Sequence, residues 1–288
     1  MLVLGGSGML GHALWQVLRD RFDTYVTLRG SADAYPGLFD AGRAIEGVSA
    51  NDFDTVVKAV GAVRPDAVVN AIGIVKQAAA ARDDPLTCLT VNSLFPHRLA
   101  ALCGAGGARL VHLSTDCVFS GRTGGYRESD VPDAEDLYGR SKLLGEVEGG
   151  DCVTLRTSII GRELGSSRGL LEWFLGQNRG TVSGYRRAIF SGFTTHALAD
   201  VIGWLLAEHP GLHGIWHVAS EPISKYDLLC LLKEHYGLDV EIEPDDTFAC
   251  DRSLDGREFC RATGFAPRPW PEMIAGLPRQ RALQEVAG

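Results

Sequence analysis

The sequence predicts an α/β fold built on a doubly wound parallel sheet, and three observations lead to that prediction. Short apolar runs alternate with amphipathic helical patterns over residues 1–160, which is typical of successive βαβ units. The first apolar run leads into a turn with the glycine spacing G-x-x-G-x-x-G, directly before a helical pattern. Beyond residue 160 the alternation weakens, so we expect residues 1–160 to form one domain and residues 161–288 a smaller part. Segments at about 190–220 are expected to return to the sheet.

The glycine turn near the start of the chain predicts a dinucleotide site. One glycine makes the sharp turn from strand to helix, one lets the backbone approach a pyrophosphate, and one lets the helix pack on the strand. The helix N-terminus then offers free N–H groups and the positive end of its dipole to the phosphates. A glycine-rich turn that binds nothing is the alternative. The residues expected to contact the cofactor are Gly5, Ser7, Gly8, Met9, Leu10 and Gly11.

The end of the second predicted strand, residues 24–28, indicates which dinucleotide is bound. An acidic residue at this place would hold the adenosine ribose hydroxyls and repel a 2′-phosphate. Here the strand runs into Arg29 and Ser31, with no acidic residue before Asp33. A lone arginine at a strand end can simply be solvated, but Arg29 beside a small hydroxyl favours NADP. NAD stays the alternative cofactor.

Two further predicted strands end in small or polar residues. Residues 67–73 form a buried run whose ending suits a backbone lying against a cofactor, so Asn70, Ala71 and Gly73 join the expected cofactor contacts. Residues 110–116 form another strand that ends in polar side chains, among them Thr115. Because ligands of such sheets lie at the carboxyl ends of the strands, these endings are expected to face one site.

Helical patterns separate these strands. We expect helices over residues 9–22, 52–63 and 84–103, each with apolar residues at helical spacing. Pro96 falls inside the third of them, so a kink or a break is expected there.

A tyrosine and a lysine four residues apart are the catalytic candidates. The spacing of Tyr138 and Lys142 places both side chains on one face of a predicted helix. An ammonium one turn away, together with an oxidised nicotinamide, would favour the phenolate and lower the tyrosine pKa toward a useful range. Two exposed polar residues are the alternative, since the pattern is short. The order of glycine turn, Thr115 strand end and Tyr138/Lys142 pair is what favours one active site.

Four motifs carry a resemblance to a known family: the glycine turn, residues 114–119 (S-T-D-C-V-F), residues 138–146 (Y-G-R-S-K-L-L-G-E) and residues 155–158 (L-R-T-S). In these the chain resembles the extended short-chain dehydrogenase/reductases, and most of all the dTDP-4-dehydrorhamnose reductase branch of nucleotide-sugar reductases. The resemblance covers the chain up to about Ile160. It implies a Rossmann-type sheet followed by a substrate-binding part.

The resemblance also implies residue roles. Thr115 would hydrogen-bond the substrate carbonyl or alcohol, Tyr138 would be the general acid, and Lys142 would hold the nicotinamide ribose. Arg252 is similar to the arginine that related reductases bring to the diphosphate, although it could equally pair with Asp251 or Asp255 at the surface. The expected substrate contacts are Thr115, Asp116, Cys117 and Arg252.

Two departures from the branch concern the sugar pocket. Cys117 stands where an aromatic residue is usual, and residues 158–159 (Ser-Ile) stand where a tryptophan is frequent. The identity of the hexose is therefore left open.

In the C-terminal part, two helix starts are predicted from their capping residues. Thr194 or Thr195 is expected to cap one helix, and Ser224 with Asp227 three residues on is expected to cap a helix that runs to Tyr236.

Composition excludes several classes of function. The net charge is −8, with 28 Lys and Arg against 36 Asp and Glu, which argues against a broad nucleic-acid surface. No apolar run approaches the roughly 20 residues of a membrane span, and seven scattered cysteines without a C-x-x-C pair indicate reduced thiols, so a cytoplasmic protein is expected. No His, Asp and Glu cluster has metal-ligand spacing, so no metal is expected. A homodimer is compatible with the sequence.

The predicted function is NADPH-dependent reduction of a keto group, at C4, on a dTDP- or UDP-linked 6-deoxysugar, for polysaccharide or glycoconjugate biosynthesis. One alternative is an epimerase or dehydratase on the same fold. Dehydratases of the family carry an Asp-Glu pair directly after the threonine, whereas here Asp116 is followed by Cys117. The other alternative is a regulatory subunit that binds NADP without catalysis.

Overall fold

The computed structural model describes residues 1–165 and 167–279, and residues 280–288 of the expected C-terminal part lie outside them. Its main feature is a seven-stranded sheet in which every neighbouring pair of strands is parallel, in the order β10-β6-β5-β4-β1-β2-β3. The strands of this sheet are β1 (Leu2–Leu4), β2 (Tyr25–Thr27), β3 (Ala44–Ile45), β4 (Ala67–Asn70), β5 (Arg109–Leu113), β6 (Cys152–Arg156) and β10 (Gly214–His217).

Helices connect and cover the strands. They are α1 (Met9–Leu18), α2 (Phe53–Val63), α3 (Ala80–Asp83), α4 (Pro85–Leu89), α5 (Phe95–Gly106), α6 (Leu137–Leu144), α7 (Leu170–Leu175), α8 (Thr195–Glu208), α9 (Lys225–Tyr236), α10 (Arg257–Thr263) and α11 (Trp270–Ala275). Short 3₁₀ helices cover Ala32–Ala34 and Asp116–Val118. Within the described part of the chain, no helix is long and apolar enough to cross a bilayer.

Both faces of the parallel sheet are buried by helices, which confirms the doubly wound α/β prediction. Val3 points to the face covered by α1 and α8, whereas its neighbours Leu2 and Leu4 point to the face covered by α2 and α5. This alternation follows from the two-residue period of a strand. A strand that is covered on both sides must be apolar throughout, which is why β1 reads as a continuous apolar run.

Two small sheets follow in the second half of the chain. One has the order β11-β8-β12, with β8 (Thr181–Phe190), β11 (Ile223–Ser224) and the edge strand β12 (Glu241–Asp251). The other pairs β7 (Ile159–Ile160) with β9 (Phe193–Thr194). The strands β8 and β12 were not predicted from the sequence, because charged residues and glycine interrupt their apolar alternation.

The third expected helix, over residues 84–103, differs from the prediction. Asp84 caps α4 through the N–H of Thr87, and a π-helical turn over Thr90–Leu94 then precedes α5. The irregularity therefore lies before Pro96 and not at it. Pro96 sits in the first turn of α5, where a missing N–H removes no hydrogen bond within that helix.

Both predicted capping residues are confirmed. Thr194 accepts a hydrogen bond from the N–H of Ala197 at the start of α8, and Ser224 accepts one from the N–H of Asp227 at the start of α9. Each cap satisfies a backbone donor that has no partner inside its helix.

Candidate active site

The glycine turn after β1 has the geometry that a bound diphosphate requires. Gly5 has a φ of +88°, which favours glycine, and a Cβ on Gly11 would lie 2.0 Å from the carbonyl oxygen of Gly5. Gly8 is the N-cap of α1 in an extended conformation, and neither a capping side chain nor an acidic residue occupies the first turn. The first N–H groups of α1 are thus left for an anionic ligand. These residues fit the phosphates of a dinucleotide.

Two residues that the sequence pattern did not single out hold this turn in place. The N–H of Gly6 donates to the carbonyl oxygen of Thr27 at 2.8 Å, and a Cβ on Gly6 would lie 2.2 Å from Cγ2 of Val26. Burial lowers the pKa of His12 to about 4, so the neutral ring can donate from Nδ1 to the carbonyl oxygen of Gly8 at 2.8 Å. Contacts of this kind join distant segments or depend on burial, so they cannot be predicted from the spacing of residues in a motif.

The other expected cofactor residues differ in what their side chains do. The side chain of Met9 reaches across to Gly169, where a Cβ would lie 2.7 Å from Met9 Cε. Arg29 is exposed at the end of β2. Partly buried Ser7, buried Leu10, partly buried Ala71 and exposed Gly73 lie on the segments that follow β1 and β4.

The side chain of Asn70, by contrast, is used inside the protein. Its Nδ2 donates to Nδ1 of His112 at 3.1 Å, and its Oδ1 accepts from the N–H of Ile72 at 3.1 Å. Asn70 is fully buried and therefore positions the segment after β4 rather than presenting its amide to a ligand. Burial holds the pKa of His112 well below its usual range, so that this ring is neutral.

Thr115, Tyr138 and Lys142 lie together at the carboxyl end of β5. Thr115 follows β5 by two residues, and a Cβ on Gly139, the neighbour of Tyr138, would lie 2.2 Å from the carbonyl oxygen of Cys117. Asp136 caps α6 by accepting from the N–H of Gly139 at 2.7 Å, which fixes the turn that carries Tyr138. The spacing of four residues brings Lys142 one turn further along, and its Nζ donates to the carbonyl oxygen of Leu113 at 2.6 Å. A Cβ on Gly73 would lie 3.9 Å from that Nζ.

The lowering of the Tyr138 pKa by Lys142 together with an oxidised nicotinamide stays a prediction, and the surroundings of Tyr138 within the protein act in the other direction. Burial raises the pKa of Tyr138, with Cys117 and Asp116 adding to the rise and Thr115 opposing it. The ammonium of Lys142 is directed to the carbonyl oxygen of Leu113. Burial lowers the pKa of Lys142 itself to about 8. Tyr138 is therefore a neutral phenol at pH 7, which is the form that can give up a proton.

Asn92 is a positioning residue that the sequence pattern did not reveal. It lies in the π-helical turn over Thr90–Leu94, accepts from the N–H of Ile74 at 2.8 Å and donates to the carbonyl oxygen of the same residue at 3.1 Å. Its Nδ2 also donates to Oγ of Ser141 at 3.1 Å, inside α6. Asn92 thus ties the segment after β4 to the helix of Tyr138 and Lys142. In the sequence, the role of Asn92 is indicated only by its being a polar residue inside an apolar helical run.

The expected substrate contacts also come together. Arg252 donates from Nε to the carbonyl oxygen of Phe119 at 3.0 Å and from Nη2 to that of Ser120 at 3.1 Å. Among the described residues Arg252 forms no ion pair with Asp251 or Asp255. Asp251 accepts from Ser253, and Asp255 accepts from Arg257. The structure therefore brings Arg252 next to the loop that carries Asp116 and Cys117.

Asp116 and Cys117 are both held in their protonated forms more strongly than usual. Burial raises the pKa of the Asp116 carboxyl, and burial raises the pKa of the Cys117 thiol to about 12. Thr115 donates to Oδ1 of Asp116 at 3.0 Å and accepts from the N–H of Cys117 at 3.1 Å. A thiol with such a pKa is not ionised at neutral pH.

A buried ion pair supports the floor of the site. Arg156 on β6 donates to both carboxylate oxygens of Glu146 at 2.8 and 2.7 Å, and Ser114 donates to the same carboxylate at 2.6 Å. Arg156 also donates to Nε2 of His217, whose pKa is lowered to about 4 by burial and by the arginine. These bonds fix the end of β5 against the end of α6.

Comparison with known proteins gives a family and a fold. A family model described as RmlD substrate binding domain matches residues 1–275. The spore coat polysaccharide biosynthesis protein SpsK of Bacillus subtilis is 30% identical over 189 residues, which cover 61% of this chain and 66% of that protein. The crystal structure of a hypothetical dTDP-4-dehydrorhamnose reductase from Sulfolobus tokodaii is 26% identical with a TM-score of 0.77, covering 93% of this chain and 97% of that one. A dTDP-4-dehydrorhamnose reductase from Bacillus anthracis, solved in complex with NADP, has the same fold at 23% identity and a TM-score of 0.77, covering 96% of this chain and 97% of that one.

Proposed function

This chain belongs to the RmlD substrate binding domain family, and on that premise we propose that it is an NADPH-dependent reductase of nucleotide sugars. The substrate we propose is a dTDP- or UDP-linked 4-keto-6-deoxysugar, and the product serves polysaccharide or glycoconjugate biosynthesis. The observation that carries the proposal is the meeting of Thr115, Tyr138 and Lys142 beside the glycine turn. The relative solved with NADP supports NADPH, with NADH as the second cofactor.

The proposed chemistry follows from the protonation states of this chain. A bound reduced nicotinamide supplies a hydride to the carbonyl carbon. Tyr138, which is a protonated phenol at pH 7, gives its proton to the carbonyl oxygen. Thr115, whose hydroxyl would turn from Asp116 to the substrate, stabilises the charge that develops on the oxygen. Lys142 is the proposed anchor for the nicotinamide ribose, near the exposed backbone of Gly73.

The proposed substrate contacts favour a ligand that carries a diphosphate. Two of the guanidinium nitrogens of Arg252 bond to the loop after Val118, while Nη1 has no partner among the described residues. A guanidinium that is fixed by two bonds and has a free N–H edge suits an anionic ligand. Residues 1–160 would then bind the cofactor and residues 161–288 mainly the substrate.

Dehydration is the less favoured chemistry at this site. It needs a second acid–base residue directly after Thr115 and Asp116, and that position is Cys117. Since the pKa of the Cys117 thiol is about 12, this side chain cannot act as a base near neutral pH.

The test is NADPH consumption with dTDP- and UDP-linked 4-keto-6-deoxysugars, by the wild type and by Tyr138→Phe. The substitution removes the proton donor but keeps the ring, so kcat is expected to fall by about 10²- to 10⁴-fold while NADPH affinity changes little. Tyr25→Phe removes a tyrosine hydroxyl from β2, away from the site, and is the matched control.

Three results would contradict the proposal. Unchanged turnover in Tyr138→Phe would remove the tyrosine from the chemistry. An epimerised or dehydrated product would favour the other enzymes of this fold. Tight NADPH binding without turnover on any of these sugars would favour a regulatory subunit.

A further inference from the structure

The chain forms a small cradle for an anion directly after β2. Oγ of Ser31 donates to Oε1 of Glu46 at 3.0 Å, and the N–H of Ala32 donates to the same oxygen at 2.7 Å. A hydroxyl and a backbone N–H that converge on one charged oxygen form the kind of pocket that binds a phosphate oxygen. Here the charged oxygen belongs to the protein itself.

This cradle lies at the adenosine end of the proposed dinucleotide site. The glycine turn contacts the end of β2 through the bond from Gly6 to Thr27. The N–H of Leu28 donates to the carbonyl oxygen of Ile45 at 2.8 Å, which aligns the end of β3 with the end of β2. Glu46 follows β3 directly and so reaches the segment after β2. In dinucleotide folds, this is the place where the ribose 2′ substituent is recognised.

We propose that Glu46 sets the choice between NADPH and NADH by occupying the cradle that would otherwise accept the 2′-phosphate. The inference rests on the proposed function, because it concerns the same dinucleotide site. A 2′-phosphate must either displace the Glu46 carboxylate from Ser31 and Ala32 or approach it as a second anion. A 2′-hydroxyl meets no such obstacle, since it can donate to the carboxylate, whose Oε2 has no partner among the described residues.

Arg29 acts in the opposite direction. It is exposed, lies two residues before Ser31 and has no ion-pair partner among the described residues, so its charge is free to attract a 2′-phosphate. Arg29 and Glu46 therefore offset each other, and the wild type is expected to bind both dinucleotides with modest discrimination. Removing only the carboxylate charge should shift that balance toward NADPH.

The experiment compares Glu46→Gln with the wild type and with Asp33→Asn in the full-length chain. Dissociation constants of NADPH and NADH are measured by titration calorimetry at low and high salt. Glu46→Gln should raise the ratio of NADPH to NADH affinity by about tenfold at low salt, and less at high salt because the charges are exposed. Asp33→Asn neutralises a neighbouring exposed carboxylate and keeps the backbone N–H that Asp33 donates to Oγ of Ser31 at 3.3 Å, so it should change the ratio by less than about twofold.

The outcomes separate the two proposals. An unchanged ratio in Glu46→Gln, with both dinucleotides bound, would overturn this inference and leave the proposed function standing. An equal shift in Asp33→Asn would also overturn it, because the effect would then be one of net charge alone. Binding of neither dinucleotide to the wild type would overturn the proposed function and the inference with it.

Discussion

Replacing Lys142 by methionine tests how the buried lysine affects the stability of the protein. The side chain is only 5% exposed, and its ammonium donates to the carbonyl oxygen of Leu113 at 2.6 Å. Burial lowers its pKa from 10.5 to about 8, although Glu146 opposes part of the shift. Keeping Lys142 charged inside the folded protein therefore lowers the free energy of unfolding. Methionine keeps the length and the apolar stem but carries no charge.

The size of the change in stability follows from the lowered pKa of Lys142. At about 1.4 kcal/mol for each pKa unit, the lowered pKa of Lys142 corresponds to about 3 kcal/mol at neutral pH. The variant also loses the hydrogen bond to Leu113, and this loss offsets about 1 to 2 kcal/mol of the gain in stability. Lys142→Met is thus expected to be more stable than the wild type by about 1 to 2 kcal/mol at pH 7, while catalysis collapses.

The pH dependence provides the sharper test. Between about pH 8 and pH 10.5 the folded wild type binds fewer protons at Lys142 than the unfolded chain does, so its stability rises with pH across this window. Lys142→Met has no such group, so its stability advantage over the wild type should shrink and then reverse as the pH rises. Urea unfolding of both proteins from about pH 7 to pH 10 measures this. A constant difference between them would refute the reasoning, and Lys58→Met, an exposed lysine on α2, should show no pH-dependent difference.

Two further substitutions test the turn and the floor of the site. Gly11→Ala places a methyl group against backbone that cannot move aside, so we expect stability to fall by about 1 to 3 kcal/mol and dinucleotide affinity to fall with it, measured by urea unfolding and calorimetry. Arg156→Met leaves the charge of Glu146 buried and unpaired, so the free energy of unfolding is expected to fall by about 3 to 5 kcal/mol in urea unfolding.

Each of these has a matched control. A Cβ on Gly211, in the exposed turn between α8 and β10, would meet nothing within 4 Å among the described residues, so Gly211→Ala should leave stability and binding unchanged. Arg268 forms an exposed pair with Asp200 at 3.3 Å, and Arg268→Met should cost less than about 1 kcal/mol. If a control variant lost as much stability as its test variant, the importance assigned to the glycine turn or to the buried ion pair would be contradicted.

Features that depend on neighbouring residues in the sequence were predictable. The caps at Thr194 and Ser224 and the helical spacing of Tyr138 and Lys142 are set within one turn of chain. The doubly wound sheet was predictable as well, because strands that are covered on both faces must be apolar throughout.

Features that depend on contacts between distant segments were not predictable. The need for glycine at position 6 comes from Val26, and the raised pKa of the Tyr138 phenol comes from its burial beside Cys117. Glu46 reaches the end of β2 only because β3 pairs with that strand. A sequence read in order contains the residues of these contacts but not the distances between them.

The position of β10 at the edge of the main sheet has a consequence for synthesis on the ribosome. When β6 leaves the exit tunnel, the residues of β10 have not yet been translated, so the growing polypeptide carries an open parallel edge. Arg109 likewise lacks the carbonyl oxygens of Leu205 and Leu212 that it bonds in the finished protein. A chain that ends before residue 214 would keep this edge of β6 unpaired, and unpaired strand edges favour aggregation.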